Sequence, residues 1–355
     1  MKWLRVIFFN VIILLSGLFM LELIMGSWFS KSTFGRLIVP NEIKRKFNVS
    51  NLYDQEISLY IRDQYGLRGN YGKPSDIDIL TVGGSTTNEI FVNEGETWSD
   101  RLAAAFQDSG YNIQVANAGI DGQSTIGHLK NFELWFSLIP KLKPKYIILY
   151  VGINDSALAE KTEINQQDIM KNNRRPIRQY IRNNSAIYSM YANIRGMIHA
   201  RDAQLLHGGK KPRTYEYVYP KILFDVDTRA QEISGALQAY ANRLEKIIYY
   251  IRELGAQAII VTQNAAVYRY DSNGKLLVRK IDGQVNQKDL LDHATLLSHN
   301  QTAMVVCQKL NAICIDLAEK LRLDVEDYYD SIHTTPSGSA KIGRFLFQIL
   351  KPYIK

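Results

Sequence analysis

The sequence predicts a three-layer α/β/α domain with a central parallel sheet of about five strands, preceded by an N-terminal transmembrane helix. The chain opens with a run of about 20 mostly apolar residues, which is long enough to cross a bilayer. From residue 77 onwards, short β-branched segments alternate with segments of helical periodicity. Such alternation is typical of a parallel sheet with helices on both faces.

The first apolar run extends from Val6 to Met25, and Lys2 and Arg5 precede it. A cleavable signal peptide has a shorter apolar core and a small-x-small cleavage site, whereas Gly-Ser-Trp-Phe follows this run. We therefore interpret residues 1–25 as an uncleaved signal anchor. Glu22 lies near enough to its end to reach the lipid headgroups, and a buried amphipathic helix is the alternative.

The orientation of this anchor depends on opposing charges. The few charges before the apolar run favour a cytoplasmic N-terminus, but counting basic residues alone favours the reverse. The basic residues that follow the run are Lys31, Arg36, Lys44, Arg45 and Lys46. We expect the folded domain to lie outside the cytoplasm, in the periplasm or at the cell surface.

The pattern of polar and apolar residues divides the remaining chain into two segments. Residues 26–76 are polar and irregular, which predicts a linker and pre-domain segment, and the main domain is predicted over residues 77–355. The five predicted strands are 77–82, 113–116, 146–151, 258–262 and 312–315. Helices are predicted over 98–106 and 229–254. Residues 156–228 interrupt the alternation and are interpreted as an insertion or lid.

The net charge of +8 is unevenly distributed. Residues 1–76 carry 10 basic and 6 acidic side chains and residues 156–228 carry 12 and 7, which leaves the rest of the chain near neutral. A nucleic-acid enzyme would concentrate positive charge on its active face, so this class is disfavoured. The basic segments suit contact with anionic lipid or polyanionic glycan, or they are solvated faces. The insertion's basic cluster is Arg174, Arg175, Arg178 and Arg182.

The two cysteines, Cys307 and Cys314, stand in apolar surroundings. Two cysteines do not make a disulfide framework, so we expect buried thiols, with a single bridge as the alternative. His293 and His299 are six residues apart, which does not suit a shared metal on one helical face, and His128 is interpreted as a helix-face residue. No metal site and no cofactor are predicted.

Polar motifs follow the first three strands. The first strand runs into Gly83-Gly84-Ser85, where glycines allow other groups to approach a hydroxyl. The turn also suits a phosphate, but neither the dinucleotide fingerprint nor the P-loop pattern is present. Asn-Ala-Gly-Ile-Asp-Gly, ending at Gly122, follows the second strand, and Gly-Ile-Asn-Asp, containing Asn154, follows the third. A glycine N–H and an asparagine amide are suitable donors to an oxyanion.

Near the C-terminus, Asp330 stands three residues before His333 and just ahead of an amphipathic helix. A nucleophilic serine needs a base to take its proton, and that base needs a carboxylate to orient it. Asp330 and His333 can supply both from one turn, and the alternative is a surface turn that caps the helix. Gln263 and Asn264 follow the fourth strand and are candidates to line the pocket.

Together, these motifs resemble, in order, the four conserved blocks of the SGNH (GDSL-like) hydrolase superfamily, and membrane-anchored bacterial members with a Gly-Gly-Ser turn look similar. The resemblance covers roughly residues 77–350 and implies a flavodoxin-like domain. The chain departs from it at Gly84, where many relatives have Asp before the serine.

Carried over residue by residue, the resemblance implies a catalytic triad of Ser85, His333 and Asp330. It also implies an oxyanion hole formed by the Ser85 N–H, the Gly122 N–H and the Asn154 side chain. Gly119 is the alternative to Gly122 as the glycine donor.

The resulting hypothesis is a serine esterase that hydrolyses an O-acetyl or other short O-acyl ester on a glycan or lipid through an acyl-enzyme. Two alternatives are an O-acyltransferase with the same triad, in which a sugar hydroxyl replaces water, and a non-catalytic binding or assembly protein on the same fold. The expected partners are the acylated substrate and the membrane, and not nucleic acid.

Overall fold

The computed structural model describes residues 2–25, 28, 39–159, 185–188, 190–191, 214–281 and 283–354 of the 355-residue chain. Most of the predicted insertion, including its four-arginine cluster at residues 174–182, lies outside these residues. The four motifs that resemble the SGNH blocks all lie within the described residues.

A five-stranded parallel sheet forms the centre of the domain, which confirms the predicted fold class. Its strands are β3 (Ile79–Gly83), β4 (Val115–Asn117), β5 (Tyr146–Tyr150), β7 (Gln257–Val261) and β11 (Ile313–Ile315). Their spatial order is β11-β7-β5-β3-β4. The chain therefore reverses direction across the sheet between β3 and β5. In open α/β sheets, ligands bind at such a switch point, beyond the carboxyl ends of the strands.

Helices cover both faces of this sheet. They are α2 (Ser85–Asn88), α3 (Trp98–Asp108), α4 (Thr125–Leu134), α5 (Ile153–Ser156), α6 (Val226–Glu232), α7 (Ser234–Glu253), α8 (Gln287–Lys309), α9 (Leu317–Lys320) and α10 (Pro336–Leu350). Side chains alternate between the faces along each strand. Leu80 therefore packs towards α4, α7 and α8, while Ile79 packs towards α3 and α10. One buried cluster lies between the sheet and the helices on each face, which gives the domain its three layers.

The predicted helix over 229–254 is two helices. Helix α6 ends at Glu232, Ile233 has φ −102° and ψ 19°, and α7 begins at Ser234. Arg229 of α6 is buried and its Nε donates to Thr295 of α8 at 2.9 Å. The apolar periodicity runs through this break, because both helices pack on the same layer, so the pattern alone does not reveal it.

The N-terminal helix α1 (Lys2–Met25) fits the predicted anchor. Its segment Arg5–Met25 is 21 residues long, and none of it is buried in the protein. A helix of this length and composition is able to cross a bilayer. The Glu22 carboxylate accepts hydrogen bonds from the indole N–H of Trp28 at 3.1 Å and from the backbone N–H groups of Ala186 and Ile187 at 3.0 Å each.

Residues 39–76, which precede the predicted domain, are folded onto it. Strands β1 (Ile43–Asn48) and β2 (Ile57–Arg62) form an antiparallel hairpin. Leu67 and Tyr71 belong to the same buried cluster as Leu80 of the central sheet. The division of the chain at residue 76 stays a prediction, but this segment shares the domain's core.

A second sheet lies beside the central one. It contains β6 (Glu216–Val218), β8 (Tyr268–Tyr270), β9 (Leu276–Ile281) and β10 (Gln284–Val285), all of which pair antiparallel. Buried side chains of this sheet pack against Ile153 and the start of α8. The sequence pattern did not predict these short strands.

The expectation of buried thiols was wrong, because Cys307 and Cys314 form a disulfide. Cys307 lies near the end of α8 and Cys314 in β11, seven residues further on. The turn between the helix and the strand brings their Cα atoms to 5.8 Å, which is within the range that a disulfide spans.

Candidate active site

Ser85 lies at the carboxyl end of β3, where it begins the short helix α2. The backbone N–H groups of Thr87 and Asn88 donate to the Gly84 carbonyl at 3.0 and 2.9 Å and close this turn. The first N–H groups of a helix, here including that of Ser85, have no acceptor within the helix. The serine therefore presents both a hydroxyl and an N–H at the switch point of the sheet.

His333 reaches this serine from the other end of the chain. Its Nε2 lies 2.7 Å from Ser85 Oγ, and its Nδ1 lies 2.7 Å from Oδ2 of Asp330. All three side chains are buried, with 2–3% of their surface exposed. The structure thus brings the three predicted triad residues into one chain of hydrogen bonds.

Asp330 is held in its ionised form. Burial raises the pKa of this carboxyl, but the electrostatic interaction and hydrogen bond with His333 and the backbone hydrogen bonds outweigh burial, so the pKa lies below its ordinary value. Oδ1 accepts the backbone N–H groups of Ile332 at 3.0 Å and of His333 at 2.8 Å. A carboxylate held this way fixes the tautomer and direction of the imidazole ring.

The His333 ring is also fixed by stacking. Tyr329 lies parallel to it, with ring centroids 5.6 Å apart and an angle of 10°. Tyr53 and Phe91 pack on the other sides of Tyr329, at 6.2 and 6.4 Å. Tyr53 comes from the turn between β1 and β2, so the N-terminal hairpin supports the ring that stacks on this histidine.

Asn154 lies in α5 beside the serine turn. Its Nδ2 donates to the Gln123 carbonyl at 2.7 Å, which holds the loop containing Gly122 against it. Gly122 has φ +71°, a left-handed conformation that glycine adopts without strain. Gly119, the alternative donor, already donates its N–H to Asn117 Oδ1 at 2.9 Å. The Gly119 N–H is therefore used within its own loop, and Gly122 stays the predicted glycine donor.

Gly84 is required by its contact with Asn154. A Cβ atom built on Gly84 would lie 2.6 Å from Nδ2 of Asn154 and 3.1 Å from the Gln123 carbonyl. The chain's departure from the Gly-Asp-Ser pattern thus has a local reason: the Asn154 amide occupies the space that a side chain at position 84 would need.

Glu89 is a functional candidate that the sequence pattern missed. This buried carboxylate follows α2, and it accepts the Trp98 N–H at 2.7 Å, the Thr334 hydroxyl at 2.9 Å and the Ser339 hydroxyl. Thr334 directly follows His333. Glu89 therefore ties the serine helix to the histidine loop. Burial raises its pKa to about 7, although these hydrogen bonds oppose the shift.

Two buried arginines from the pre-domain segment fasten the same helix. Arg68 donates to the carbonyls of Asn88 and Glu89 and pairs with Glu94 at 2.7 Å. Arg62 donates to Asn88 Oδ1 at 2.7 Å and to the Gly119 carbonyl. Arg62 thereby links the serine helix to the Gly122 loop, although it has no acidic partner among the described residues. An arginine in a polar segment is usually a solvated side chain, so the sequence pattern does not indicate that Arg62 and Arg68 are buried.

The other polar candidates have structural partners. Gln263 donates to Thr86 Oγ1 at 2.7 Å and accepts the Ile153 N–H at 2.8 Å. It therefore supports α2 and α5, the two short helices that carry the predicted oxyanion donors Ser85 and Asn154. Burial lowers the pKa of His128 and of His293 to about 4. Within the described ranges, no group of three His, Cys, Asp or Glu side chains is close enough to hold a metal ion.

Comparison with known proteins gives the family. The model of the GDSL-like Lipase/Acylhydrolase family matches residues 81–341. The chain therefore belongs to this family, which confirms the resemblance seen in its four motifs. It is an ester-hydrolysing enzyme of the SGNH type. No curated protein matches the sequence.

Solved structures with a similar fold include a catalytic mutant of Axe2, an acetylxylan esterase from Geobacillus stearothermophilus. It is 13% identical with a TM-score of 0.42, and the match covers 76% of this chain and 93% of that one. TesA is 14% identical with a TM-score of 0.39, over 78% of this chain and 99% of that one. LAE5, from the metagenome of Lake Arreo in Spain, is 11% identical with a TM-score of 0.44, over 78% and 96%.

The substitution Gly84→Ala tests the close approach of Asn154. We expect at least a tenfold loss in kcat for an aryl acetate, because the new methyl group displaces an amide placed to stabilise charge. The matched control is Gly235→Ala, where no atom lies within 4 Å of the added Cβ. Wild-type kcat in Gly84→Ala would show that the contact is irrelevant to the reaction.

The substitution Glu89→Gln tests the buried carboxylate through pH. The folded-state pKa is about 7 against an ordinary value of 4.5, so the native protein binds more protons and wild-type stability falls as pH rises between these values. Glutamine lacks this titration. The destabilisation caused by Glu89→Gln should therefore be about 3 kcal/mol smaller at pH 8 than at pH 4.5.

Urea unfolding of the full-length protein in detergent at both pH values measures this difference. Exposed Glu56→Gln is the matched control and should show no such change. A pH-independent effect of Glu89→Gln would contradict the buried titration.

Proposed function

We propose that the protein is a membrane-anchored serine esterase that removes an O-acetyl or other short O-acyl group from a glycan or lipid through an acyl-enzyme. The observation that carries the proposal is the buried hydrogen-bond chain from Ser85 through His333 to Asp330, with 2.7 Å at each step. This is the geometry that nucleophilic catalysis by serine needs.

In the first step, Ser85 Oγ attacks the ester carbonyl carbon while His333 Nε2 accepts the hydroxyl proton. Asp330 stays ionised and stabilises the imidazolium that forms. The tetrahedral intermediate collapses, the carbon–oxygen bond to the alcohol breaks, and His333 returns the proton to the departing alkoxide. The products are the free alcohol and an acyl group bound to Ser85.

In the second step, His333 takes a proton from water, and the hydroxide attacks the acyl carbon. The second tetrahedral intermediate releases the carboxylic acid and returns Ser85 Oγ with its proton. The reaction therefore uses only side chains and water, and it needs no cofactor.

The oxyanion of both intermediates is stabilised by the N–H of Ser85, the N–H of Gly122 and the Asn154 amide. Asn154 lies against Gly84, one residue from the nucleophile, and is 4% exposed. Donors fixed in a site with little water stabilise developing charge more strongly than donors in bulk solvent.

The proposed substrate and compartment follow from the anchor and the disulfide. A helix able to span a bilayer ties the domain to a membrane, where glycans and lipid esters are concentrated. Disulfides persist in oxidising compartments, and the Cys307–Cys314 bridge supports a domain outside the cytoplasm. Protease added to spheroplasts, in which the outer envelope is opened and the cytoplasmic membrane is intact, should digest the domain, and protection there would contradict this placement.

A fluorophosphonate probe tests the nucleophile directly. The full-length protein in detergent should be labelled at Ser85, and Ser85→Ala should not be labelled. Ser99→Ala is the matched control, since Ser99 is equally buried and bonds to Thr81 rather than to a histidine. Failure to label folded wild-type protein would favour the binding-protein alternative.

Steady-state hydrolysis of an aryl acetate tests the other roles. We expect Asp330→Asn to lose about 10⁴-fold in kcat and Asn154→Ala about 10²-fold to 10³-fold. Adding an oligosaccharide acceptor distinguishes water from a sugar hydroxyl as the acyl acceptor. Free acetate should remain the main product, and acetylated sugar in excess of acetate would show a transferase.

A further inference from the structure

We propose that a pocket beside the active site, lined by Arg269 and Arg322, binds a carboxylate-bearing sugar residue of the substrate. The assignment of this ligand to the substrate rests on the proposed esterase function. It narrows the substrate class to an acylated acidic glycan.

The pocket is a cavity of about 290 Å³. Its lining combines the two arginines with three tyrosines, namely Tyr268, Tyr270 and Tyr328, together with Asn264, Ala265, Asp271, Leu277, Leu323 and Asp324. The Arg322 guanidinium lies 4.6 Å from the centre of the Tyr270 ring, and that of Arg269 lies 4.5 Å from the Tyr217 ring. The rings hold both guanidinium groups in place without neutralising them.

Each of these two guanidinium groups contacts a tyrosine ring, and neither forms an ion pair with a carboxylate of another described residue. The pocket also carries two carboxylates, each with a partner of its own: Asp271 accepts hydrogen bonds within its own turn and from Tyr219, and Asp324 pairs with Lys341 at 3.5 Å. The two guanidinium groups therefore keep donors that a ligand carboxylate can engage.

The pocket adjoins the catalytic residues. Asn264 follows β7 at the same edge of the sheet as Ser85, and Tyr328 stands two residues before Asp330. The Ala266 N–H donates to the Ser331 carbonyl at 2.7 Å, which joins the pocket wall to the loop between Asp330 and His333. The pocket is therefore joined to the loop that carries Asp330 and His333, and the triad side chains themselves are not part of its lining.

The lining favours an acidic sugar over an anionic lipid. A planar guanidinium matches a carboxylate through two parallel hydrogen bonds, and tyrosine presents both an apolar face and a hydroxyl. The volume lies near the lower end for small-ligand pockets, which suits one sugar unit. Entry into a bilayer would need exposed apolar side chains, but Leu277 is buried and Leu323 is half-buried.

Equilibrium binding tests the proposal independently of catalysis. Titration calorimetry uses the full-length Ser85→Ala protein in a non-ionic detergent, with trigalacturonate as the probe and its carboxyl-reduced, neutral counterpart as the control ligand. We expect only the acidic trisaccharide to bind. Adding Arg269→Gln or Arg322→Gln should weaken binding at least about tenfold each, because each removes a charge-assisted pair.

Arg344→Gln, at an exposed position of α10, is the matched control and should keep the parent affinity. An unchanged thermal unfolding midpoint shows that the pocket variants fold.

Equal binding of the neutral trisaccharide, or unchanged affinity in both pocket variants, overturns the proposal. Arginine-dependent binding to phosphatidylglycerol vesicles in place of the sugar overturns the glycan assignment. Labelling of Ser85 without trigalacturonate binding overturns the pocket alone, whereas binding without labelling overturns the esterase alone.

Discussion

The hydrogen bond between Ser85 and His333 joins two parts of the chain that are 248 residues apart, and much of the domain is arranged around it. The serine is fixed by the end of β3, whereas the histidine lies on a loop before the last helix. Glu89 connects the two, because it follows the serine helix and accepts the hydroxyl of Thr334. Closing so distant a contact costs chain entropy, and the packing of α3 against α10 stabilises the same closure.

The segment before the central sheet is part of this arrangement. Arg62 and Arg68 are both almost fully buried, and burying a cation is costly unless its donors are all used. Their donors are directed to carbonyls at the end of α2 and in the Gly119 loop. These hydrogen bonds offset the cost of burying the two charges, and they fix the position of the serine helix α2. Residues 39–76 therefore act as structural support of the candidate active site.

The sequence predicted the parts of the fold that depend on local pattern. The five central strands follow from β-branched runs, and three of the four motifs lie where those strands end, so the meeting of these three at one edge follows from parallel geometry. The second sheet was missed because its strands contain charged or polar residues, as in Glu-Tyr-Val and Tyr-Arg-Tyr, and so lack the continuous β-branched run of the buried central strands. Glu89 and Arg62 were missed because their roles depend on partners distant in sequence, and the Cys307–Cys314 bridge because two apolar cysteines fit a reduced core equally well.

The proposed function places catalysis and substrate selection in different parts of the molecule. The proposed triad lies at the carboxyl edge of the central sheet, with Ser85 directly after β3 and with Asp330 and His333 on the loop before α10. Arg269 and Tyr217 belong to the second sheet, whose position is fixed by Ile153 and the start of α8. That sheet is attached to the rest of the domain through this apolar cluster and through polar contacts such as the Arg279–Asp289 ion pair at 2.7 Å. In the proposal made above, Arg269 of this sheet binds part of the substrate, so a change there would alter which ester is bound while the proposed triad, which lies elsewhere, is kept.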